Sequence, residues 1–539
     1  MKIMTISYST KSLDHLGLVS GMCKDIGIAK FIDDAHPEQS KDKHVSYGQL
    51  VEAMILNGLG FVGRTLYMYP EYFADRPVER LLGKGVKAEH INDDALGRCL
   101  DQLYETGVSD LFQGLSARTI SHLKLPCEGL NLDSTSIHVD GEYKDEDGNT
   151  AIQLVRGYSR DHRPELNQVV LNLITENQAG IPVYMQAASG NINDNEGFKN
   201  IIKQHVKSLK AAYHNRYFIG DAALYTIGSV QSFDEQNELF ISRAPQKLNL
   251  VKDAISEQHN YLFTELGNGY SATWIDSNYG GVKQRWLLVF SEQAKKREQY
   301  TLDKRMLKDS NAALKSLKKL SKERFACHAD AMKMLGIWMK SQASMVLSEI
   351  EVIEHPVYHK SGRPKSGQEP DDYEYQVIGL LASKLNYREQ KLSEKGLFML
   401  ATNDCSDTLT MSKMLELYKS QQSVEKGFRF LKSPDFLTSS LYLKKPERIE
   451  ALLMIMTCCL MVYAALEHKI REELKAKDAY FPNLKYKPCQ NPTARWVFFC
   501  FQGIDILTIS ENRQFVLNIE ERNRIIIDCM GPTYLQIYS

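Results

Sequence analysis

The order of strands and helices between residues 129 and 221 constrains the fold of this chain more than any other feature. Apolar and β-branched runs predict a first strand, a hairpin across a Glu-Asn-Gln-Ala-Gly turn, a helix and a further short strand. These elements are predicted over Gly129 to Val139, Gln168 to Thr175, Ile181 to Ala188, Gly197 to Tyr213 and Arg216 to Ile219. The last strand ends at Gly220-Asp221. Three strands, a helix and a strand that ends in an acid predict an α/β sheet.

This order resembles the opening of a ribonuclease-H-like α/β fold, and it divides the chain into five segments. Residues 1–125 have helical periodicity and predict a helical N-terminal domain. Residues 126–244 and 396–474 are predicted as the first and second parts of the core, and the second part contains a long polar helix. Residues 245–395 are predicted as a strand-containing insertion, and residues 475–539 as a helical C-terminal region that is a candidate for oligomer contacts.

Charge places limits on what the chain binds. There are 66 Lys+Arg against 67 Asp+Glu, and the net charge of −1 excludes a uniformly basic protein. A nucleic-acid surface would therefore be local. Lys295 to Arg324 in the insertion has 11 Lys+Arg and four Asp+Glu. This basic segment fits either a solvated helix face or a surface that follows phosphates.

Cysteine spacing and hydropathy indicate where the chain resides. The 10 cysteines contain no Cys-x-x-Cys pair, so neither a zinc module nor a disulfide framework is predicted, and a reducing cytoplasm fits. The longest apolar run, Ala451 to Leu466, is short for a membrane span. It predicts a buried helix and no membrane association.

The most informative segment is a predicted helix from Leu409 to Lys432. It carries Tyr418, Gln421, Glu425 and Lys432 at offsets 0, 3, 7 and 14. At about 100° per residue these four side chains project within roughly 60° of one another. Tyr418 and Lys432 each lie about 10 Å along the axis from Glu425, a reach that suits phosphates on either side of a carboxylate-held metal.

With Tyr-x2-Gln-x3-Glu-x6-Lys in place, the chain resembles the DDE transposases of bacterial insertion sequences, in the group with a Tyr-x2-Arg-x3-Glu-x6-Lys signature. The sequence that follows the motif, Phe428 to Pro434 and Lys445 to Leu453, is also similar to the sequences of that group. The resemblance covers most of Asn131 to Leu474. The family's Arg position is occupied by Gln421, and Lys426 and Arg429 are the nearby substitutes.

The resemblance implies a catalytic and metal-binding triad of Asp133, Asp221 and Glu425. Asp133 lies in the first strand, in Leu-Asn-Leu-Asp-Ser-Thr-Ser-Ile, and Asp221 follows the short strand Tyr-Phe-Ile-Gly. Asp140 is the competitor for the first position, but its polar Asp-Gly-Glu sequence is more typical of a turn. Three carboxylates from separate elements suit two Mg²⁺ ions, with Mn²⁺ as a replacement.

The resemblance also implies a set of DNA-binding side chains. Tyr418, Gln421 and Lys432 come from the motif helix, with Lys426 and Arg429 beside them. Arg160 and Arg163 lie in the polar segment Gly157 to Pro164, which is similar to the family's loop beside the active site. For these two arginines phosphate binding and simple loop solvation remain alternatives.

The function implied is two-metal-ion DNA strand cleavage at terminal inverted repeats, followed by 3′-hydroxyl transfer into target DNA. A cut-and-paste route with a hairpin intermediate and a homodimer in the synaptic complex are expected, in a bacterial cytoplasm and on the nucleoid when DNA is bound. The N-terminal domain is a candidate for DNA-end binding. A nuclease without strand transfer, and a catalytically decayed transposase-derived DNA-binding protein, are the alternatives.

Overall fold

A computed structural model describes residues 8–37, 44–61, 66–139, 152–158, 163–192, 194–360, 362–433, 443, 445–509 and 513–539. They form two compact units. The first comprises Met1–Arg243, Ser277–Arg285 and Ala401–Ser539, and the second comprises Ala244–Asp276 and Trp286–Leu400.

The first unit begins with a strand and seven helices. They are β1 (Tyr8–Ser12), α1 (Leu16–Ile26), α2 (Ile28–Ala35), α3 (Tyr47–Leu59), α4 (Tyr69–Ala74), α5 (Val78–Leu82), α6 (Asp93–Thr106) and α7 (Val108–Leu123). Local signals start two of them: Ser46 and Gln49 form a capping box on α3, and the Asn92 side chain accepts the N–H of Ala95 on α6. The predicted helical character of this region is thus observed, with one strand before it.

A mixed sheet follows. Its elements are β2 (Gly129–Val139), β3 (Asn167–Glu176), β4 (Pro182–Ser189), α8 (Asp194–Tyr213), β5 (Tyr217–Gly220), α9 (Ile227–Glu235) and β6 (Leu239–Ala244). These strands form one side of a nine-stranded sheet, in the order β4-β3-β2-β5-β6. β2, β3 and β4 pair antiparallel, whereas β5 is parallel to β2 and β6 is parallel to β5. The strands, the hairpin and the helix predicted from the sequence lie at these positions, while α9 and β6 were not predicted.

The second unit contains α10 (Asn249–Ser256), β7 (Thr264–Gly267), β8 (Tyr270–Tyr279), β9 (Val282–Ser291), α11 (Glu292–Leu320), α12 (His328–Ser341), β10 (Met345–Val357), β11 (Asp372–Ser383), α13 (Leu385–Ser393) and β12 (Leu397–Thr402). Residues 277–285, at the end of β8 and the start of β9, belong to the first unit, as do the last two residues of β12. The basic segment lies mostly on α11, whose N-cap is Ser291.

A long antiparallel ribbon of β10 and β11 is a feature that sequence patterns did not predict. Its base packs on α11 and α12 in one apolar cluster, which includes Leu317, Trp338, Leu347 and Val377. The ribbon beyond that base alternates charged with apolar residues and is largely exposed. Such strands are stabilised by pairing with each other across a register of distant residues, so local composition is a weak guide to them.

The chain then completes the first unit with α14 (Met411–Lys419), α15 (Gln422–Leu431), α16 (Pro446–Ala476), β13 (Phe481–Pro482), β14 (Pro488–Cys489), α17 (Ala494–Cys500), β15 (Asp505–Ile509), β16 (Arg513–Leu517), α18 (Glu521–Met530) and α19 (Pro532–Ile537). The predicted helical C-terminal region contains three helices and also strands that were not predicted. β15 pairs with both β16 and β1 in a three-stranded antiparallel sheet, because Ile506, Thr508 and Val516 supply β-branched residues that suit strands.

Helix α16 is the central helix of this unit. By length and composition it could cross a membrane, but most of its apolar window is buried within the structure. It packs against α1, α3, α6 and α7. Arg448 at its start makes two hydrogen bonds to the Asp101 carboxylate on α6, at 2.7 and 2.6 Å. A helix surrounded by other helices in this way has the environment of a soluble core helix.

Candidate active site

Two acids and an arginine occupy neighbouring positions on three adjacent parallel strands, level with the end of β5. In the pairing of β2 with β5, Leu132 is opposite Gly220, and in the pairing of β5 with β6, Gly220 is opposite Ser242. The next residues along the three strands are Asp133, Asp221 and Arg243. Since adjacent strands lie about 4.8 Å apart, the three backbone positions form a short row.

Local hydrogen bonds hold both acids in place. Asp133 Oδ1 accepts the N–H of Ser134 at 2.8 Å, and its side chain is partly exposed between buried strand residues. Asp221 Oδ1 accepts the N–H of Ala223 at 2.8 Å, which makes an Asx turn directly after β5. The Asp221 carbonyl also accepts the hydroxyl of Ser242 at 2.8 Å. The row is therefore fixed by backbone contacts as well as by strand pairing.

The predicted single helix from Leu409 to Lys432 is wrong, because it is interrupted between α14 and α15. The Ser420 hydroxyl donates to the Leu417 carbonyl at 2.6 Å, and the Ser423 hydroxyl donates to the Ser420 carbonyl at 2.7 Å. Around this point the N–H groups of Gln421 and Val424 bond three residues back rather than four. Serine side chains that bond to the backbone favour such tighter turns.

This interruption changes the predicted arrangement of side chains. A helical turn with three residues per turn rotates the chain by about 120° per residue, instead of about 100°. The four motif side chains therefore do not share the predicted sector of roughly 60°. Gln421, at the family's Arg position, is the residue before α15 and is 8% exposed. Glu425, Lys426 and Arg429 are exposed on α15, and Lys432 caps its C-terminus. Glu425 and Arg429 are one turn apart on the same helix face.

The interruption also positions α15 on one face of the sheet. Ser420 Oγ lies 3.1 Å from Asn131 Oδ1 on β2, and α15 packs against β2 and β3. Alternate residues of a strand share a face, so Asp133 faces the same side as Asn131. The Asp133 carboxylate and the helix that carries Glu425 are therefore on the same face of the sheet.

Tyr418 connects α14 to the row of Asp133, Asp221 and Arg243. Its phenol makes a side-chain hydrogen bond with Arg243. Burial raises the pKa of Tyr418 above its ordinary value, and the negative charges of Asp221 and Glu425 act in the same direction, while the Arg243 guanidinium opposes them. Tyr418 is thus neutral at physiological pH and lies within electrostatic reach of two of the three predicted acids.

Arg243 is the site residue that sequence reasoning missed. It ends a strand, Leu239 to Ala244, that was not predicted, and the one available signal was a lone cation at the end of the apolar Leu-Phe-Ile-Ser run. The pairing of β5 with β6 places Arg243 beside Asp221. Only that pairing distinguishes it from other partly exposed arginines.

The remaining predicted residues are less closely connected to this row. Arg163 is exposed and pairs with Glu165. Arg160 and the competing acid Asp140 lie outside the described residues. In the described part of the chain, no three His, Cys, Asp or Glu side chains come close enough together to bind one metal ion. Asp133 and Asp221 occupy neighbouring positions on adjacent strands, and Glu425 is exposed on α15.

Comparison with known proteins gives two family matches. A model described as "Transposase DDE domain" matches residues 128–462, and a domain family of unknown function, DUF4277, matches residues 8–117. No curated protein matches the chain with significant similarity. Among solved structures the chain is similar to a piggyBac transposase in a synaptic complex with hairpin DNA, at 10% identity and a TM-score of 0.37, over 92% of this chain and 82% of that one. The DDE match covers more than half of the chain, and it contains Asp133, Asp221 and Glu425. The chain belongs to the DDE transposase family.

Proposed function

We propose that the protein is a cut-and-paste transposase that binds the terminal inverted repeats of its own bacterial insertion sequence. It cleaves the DNA strands at those ends and transfers the 3′-hydroxyls into target DNA, with a hairpin intermediate. The observation that carries the proposal is the row of Asp133, Asp221 and Arg243 on three adjacent parallel strands. Tyr418 bonds to one end of this row, and the Glu425 helix packs on the strand that carries the other end.

We further propose that the sheet is a ribonuclease-H-like core. The order β4-β3-β2-β5-β6 supports this, because the first three strands are antiparallel and the last two continue parallel to β2. In mixed sheets of this kind polar ligands bind at the carboxyl ends of parallel strands. Asp221 follows the carboxyl end of β5, and Asp133 lies on β2 directly after the last residue that pairs with β5.

The donor chemistry fits hard divalent cations. DDE transposases in general use divalent metal ions, and carboxylate oxygens are the ligands that Mg²⁺ prefers, with Mn²⁺ as a substitute. Asp133 and Asp221 would hold two ions jointly, and Glu425 would complete the set, since its exposed side chain is free to change rotamer. Bound there, the ions would lower the pKa of the attacking water or 3′-hydroxyl and stabilise charge on the leaving oxygen.

The protein's own cations would position the DNA backbone. Arg243 and the neutral Tyr418 phenol supply hydrogen-bond donors beside Asp221. Lys426, Arg429 and Lys432 extend the positive surface along α15. Gln421 is buried at the start of that helix. We therefore propose that Lys426 and Arg429 make the phosphate contact that the family's arginine would make at this position.

The partners we propose are double-stranded DNA, as element ends and as target, and a second copy of the chain in the synaptic complex. Residues 1–125 are the proposed end-binding domain, 126–244 and 396–474 the catalytic parts, 245–395 the insertion and 475–539 the region for oligomer contacts. The proposed location is the bacterial cytoplasm, on the nucleoid when DNA is bound.

The test is incubation of the purified protein with labelled DNA that carries the flanking ends of its own element, in Mg²⁺ and in Mn²⁺. Wild type should excise and join the ends, whereas Asp133→Ala, Asp221→Ala and Glu425→Ala should bind them without cleavage. The exposed Glu416→Ala on α14 is the matched control and should cleave normally. Nicking without joining would indicate a nuclease that lacks strand transfer. Binding without any cleavage would indicate a catalytically decayed transposase. Full cleavage by one of the three variants would remove that residue from the site.

A further inference from the structure

The loop at the end of the β10–β11 ribbon concentrates positive charge. We define the tip loop as residues 358–371, of which all but 361 are described. It contains His359, Lys360, Arg363 and Lys365 before its first acid, Glu369. All of these side chains are exposed. The ribbon that carries the loop is acidic instead, with Glu351, Glu354, Asp372 and Glu374 on its two strands.

The lysines and the arginine of the tip loop have no ion-pair partner among the described residues. Within the described part of the chain, no carboxylate forms an ion pair with Lys360, Arg363 or Lys365. The loop's own hydrogen bonds use backbone groups: the N–H of His359 donates to Asp371 Oδ2 at 2.8 Å, and the N–H of Lys365 donates to Gln368 Oε1 at 3.2 Å. Backbone N–H groups and the side chains of Asp371 and Gln368 thus hold the loop, and these bonds do not use the Lys360, Arg363 and Lys365 side chains.

The centre of the loop borders open space. Gly362 has a φ of 122°, and no atom lies within 4 Å of the position that a Cβ would take there. Pro364 fixes its own φ and favours an extended conformation for Arg363 before it. Lys365 then ends the segment at a turn, where its carbonyl accepts the N–H of Gln368 at 3.0 Å. The guanidinium of Arg363 therefore projects from an extended backbone segment, with Lys360 and Lys365 on either side of it in the sequence.

This shape and charge fit one groove of DNA. The minor groove is about 6 Å wide, narrower than the major groove that admits a helix or a two-stranded ribbon, and an extended segment fits into it. In A·T tracts it narrows further, and its increased negative potential attracts arginine side chains. The acidic ribbon repels the phosphate backbone, so only the tip can approach the duplex closely.

We propose that the tip loop inserts Arg363 into the minor groove of A·T-rich duplex DNA, with Lys360 and Lys365 on the phosphates at either side. The inference rests on the proposed function in that it requires DNA as the partner. It gives the ribbon the role of recognising A·T-rich DNA, separate from the row of Asp133, Asp221 and Arg243. A·T pairs present only acceptors in the minor groove, so the arginine donors match them without specifying a unique sequence.

The experiment measures binding of the full chain to two duplexes of equal length, one with a central A·T tract and one rich in G·C, at one fixed salt concentration. Fluorescence anisotropy of wild type should show tighter binding to the A·T duplex, and a minor-groove ligand such as netropsin should compete. Arg363→Ala should weaken A·T binding by about tenfold and remove the preference. Arg305→Ala, which removes an exposed arginine from α11, is the control and should leave the preference intact.

Four results would overturn the inference, and the first three leave the proposed function untouched. Equal wild-type affinity for both duplexes would show that no A·T reader exists. A preference that survives Arg363→Ala would place the reader elsewhere in the chain, and equal loss on both duplexes would reduce the tip to a phosphate contact. In these cases DNA binding itself persists, and the proposed function stands. Failure of wild type to bind either duplex would remove the DNA partner from both proposals. Because the loop is exposed, unchanged thermal melting of Arg363→Ala verifies that its fold is intact.

Discussion

The phenol of Tyr418 on α14 hydrogen-bonds to the guanidinium of Arg243 near the end of β6, and this contact joins the motif helix to the row of Asp133, Asp221 and Arg243. It orients Arg243 beside Asp221. Tyr418→Phe should therefore leave DNA-end binding nearly intact but lower the single-turnover cleavage rate by about 10- to 100-fold, the effect of losing about 1–3 kcal/mol of oriented hydrogen bonding.

The control for Tyr418→Phe is Tyr486→Phe, which removes the hydroxyl of a tyrosine that is 77% exposed. Cleavage by this control should equal that of wild type. Arg243→Lys keeps the charge but loses the planar group that holds the phenol, so it should resemble Tyr418→Phe. A wild-type rate in Tyr418→Phe would show that the contact is structural only.

Metal binding gives a readout that does not require activity. A divalent ion that binds the folded protein raises its melting temperature by mass action, so Mg²⁺ or Mn²⁺ should stabilise wild type in a concentration-dependent way. Asp221→Asn should shift the concentration required upward by at least about tenfold. Asp234→Asn, an exposed acid on α9, should behave as wild type. The same metal response in both variants would exclude Asp221 as a ligand.

The pairing of Arg448 with Asp101 should contribute measurably to stability. Both side chains are about one-third exposed, and the hydrogen bonds from Arg448 hold the pKa of Asp101 below its ordinary value. Arg448→Ala should lower the free energy of unfolding by about 1–2 kcal/mol, which is less than for a fully buried pair. Since the folded pKa is depressed, this contribution is present at neutral pH and is lost as the pH falls below about 4.

A double-mutant cycle with Asp101→Asn separates the pair from each residue's other contacts. Arg98→Ala on the exposed face of α6 is the control and should change stability little. A coupling energy near zero at neutral pH would contradict the prediction.

Glu52 on α3 should make stability fall as the pH rises. The residue is 4% exposed, and burial raises its pKa to about 7, while the N–H of Ala29 at 3.3 Å acts against this shift. Between about pH 4.5 and 7 the unfolded chain has lost this proton and the folded chain retains it, so folding is disfavoured progressively, by about 3 kcal/mol above pH 7.

Glu52→Gln removes the ionisation and retains an oxygen for the Ala29 N–H. It should raise the melting temperature at about pH 8 and change it little at about pH 4.5. Glu71→Gln, at an exposed position on α4, should show no such difference between the two pH values. Equal shifts of Glu52→Gln at both pH values would mean that the carboxyl stays ionised in the fold.

Much of the local structure follows from the sequence, since the pattern of apolar and polar residues specifies β2 to β5, α8 and α16 without reference to distant residues. The motif at Tyr418, Glu425 and Lys432 led to the transposase family, which the DDE match confirms. The roles of Asp133, Asp221 and Glu425 in catalysis remain predictions. The exposed β10–β11 ribbon was missed, because its strands depend on pairing across a loop rather than on a local apolar pattern.

The sequence alone determined the identity of the elements and the spacing of the chemical groups along each one, because these depend on interactions between near neighbours in the chain. The tertiary structure decided which groups meet. Asp133, Asp221 and Arg243 are separated by 88 and 22 residues, and only the register of three parallel strands aligns them. Likewise, the break at Ser420 depends on side-chain bonds to the backbone and on contact with Asn131, which helical periodicity does not contain.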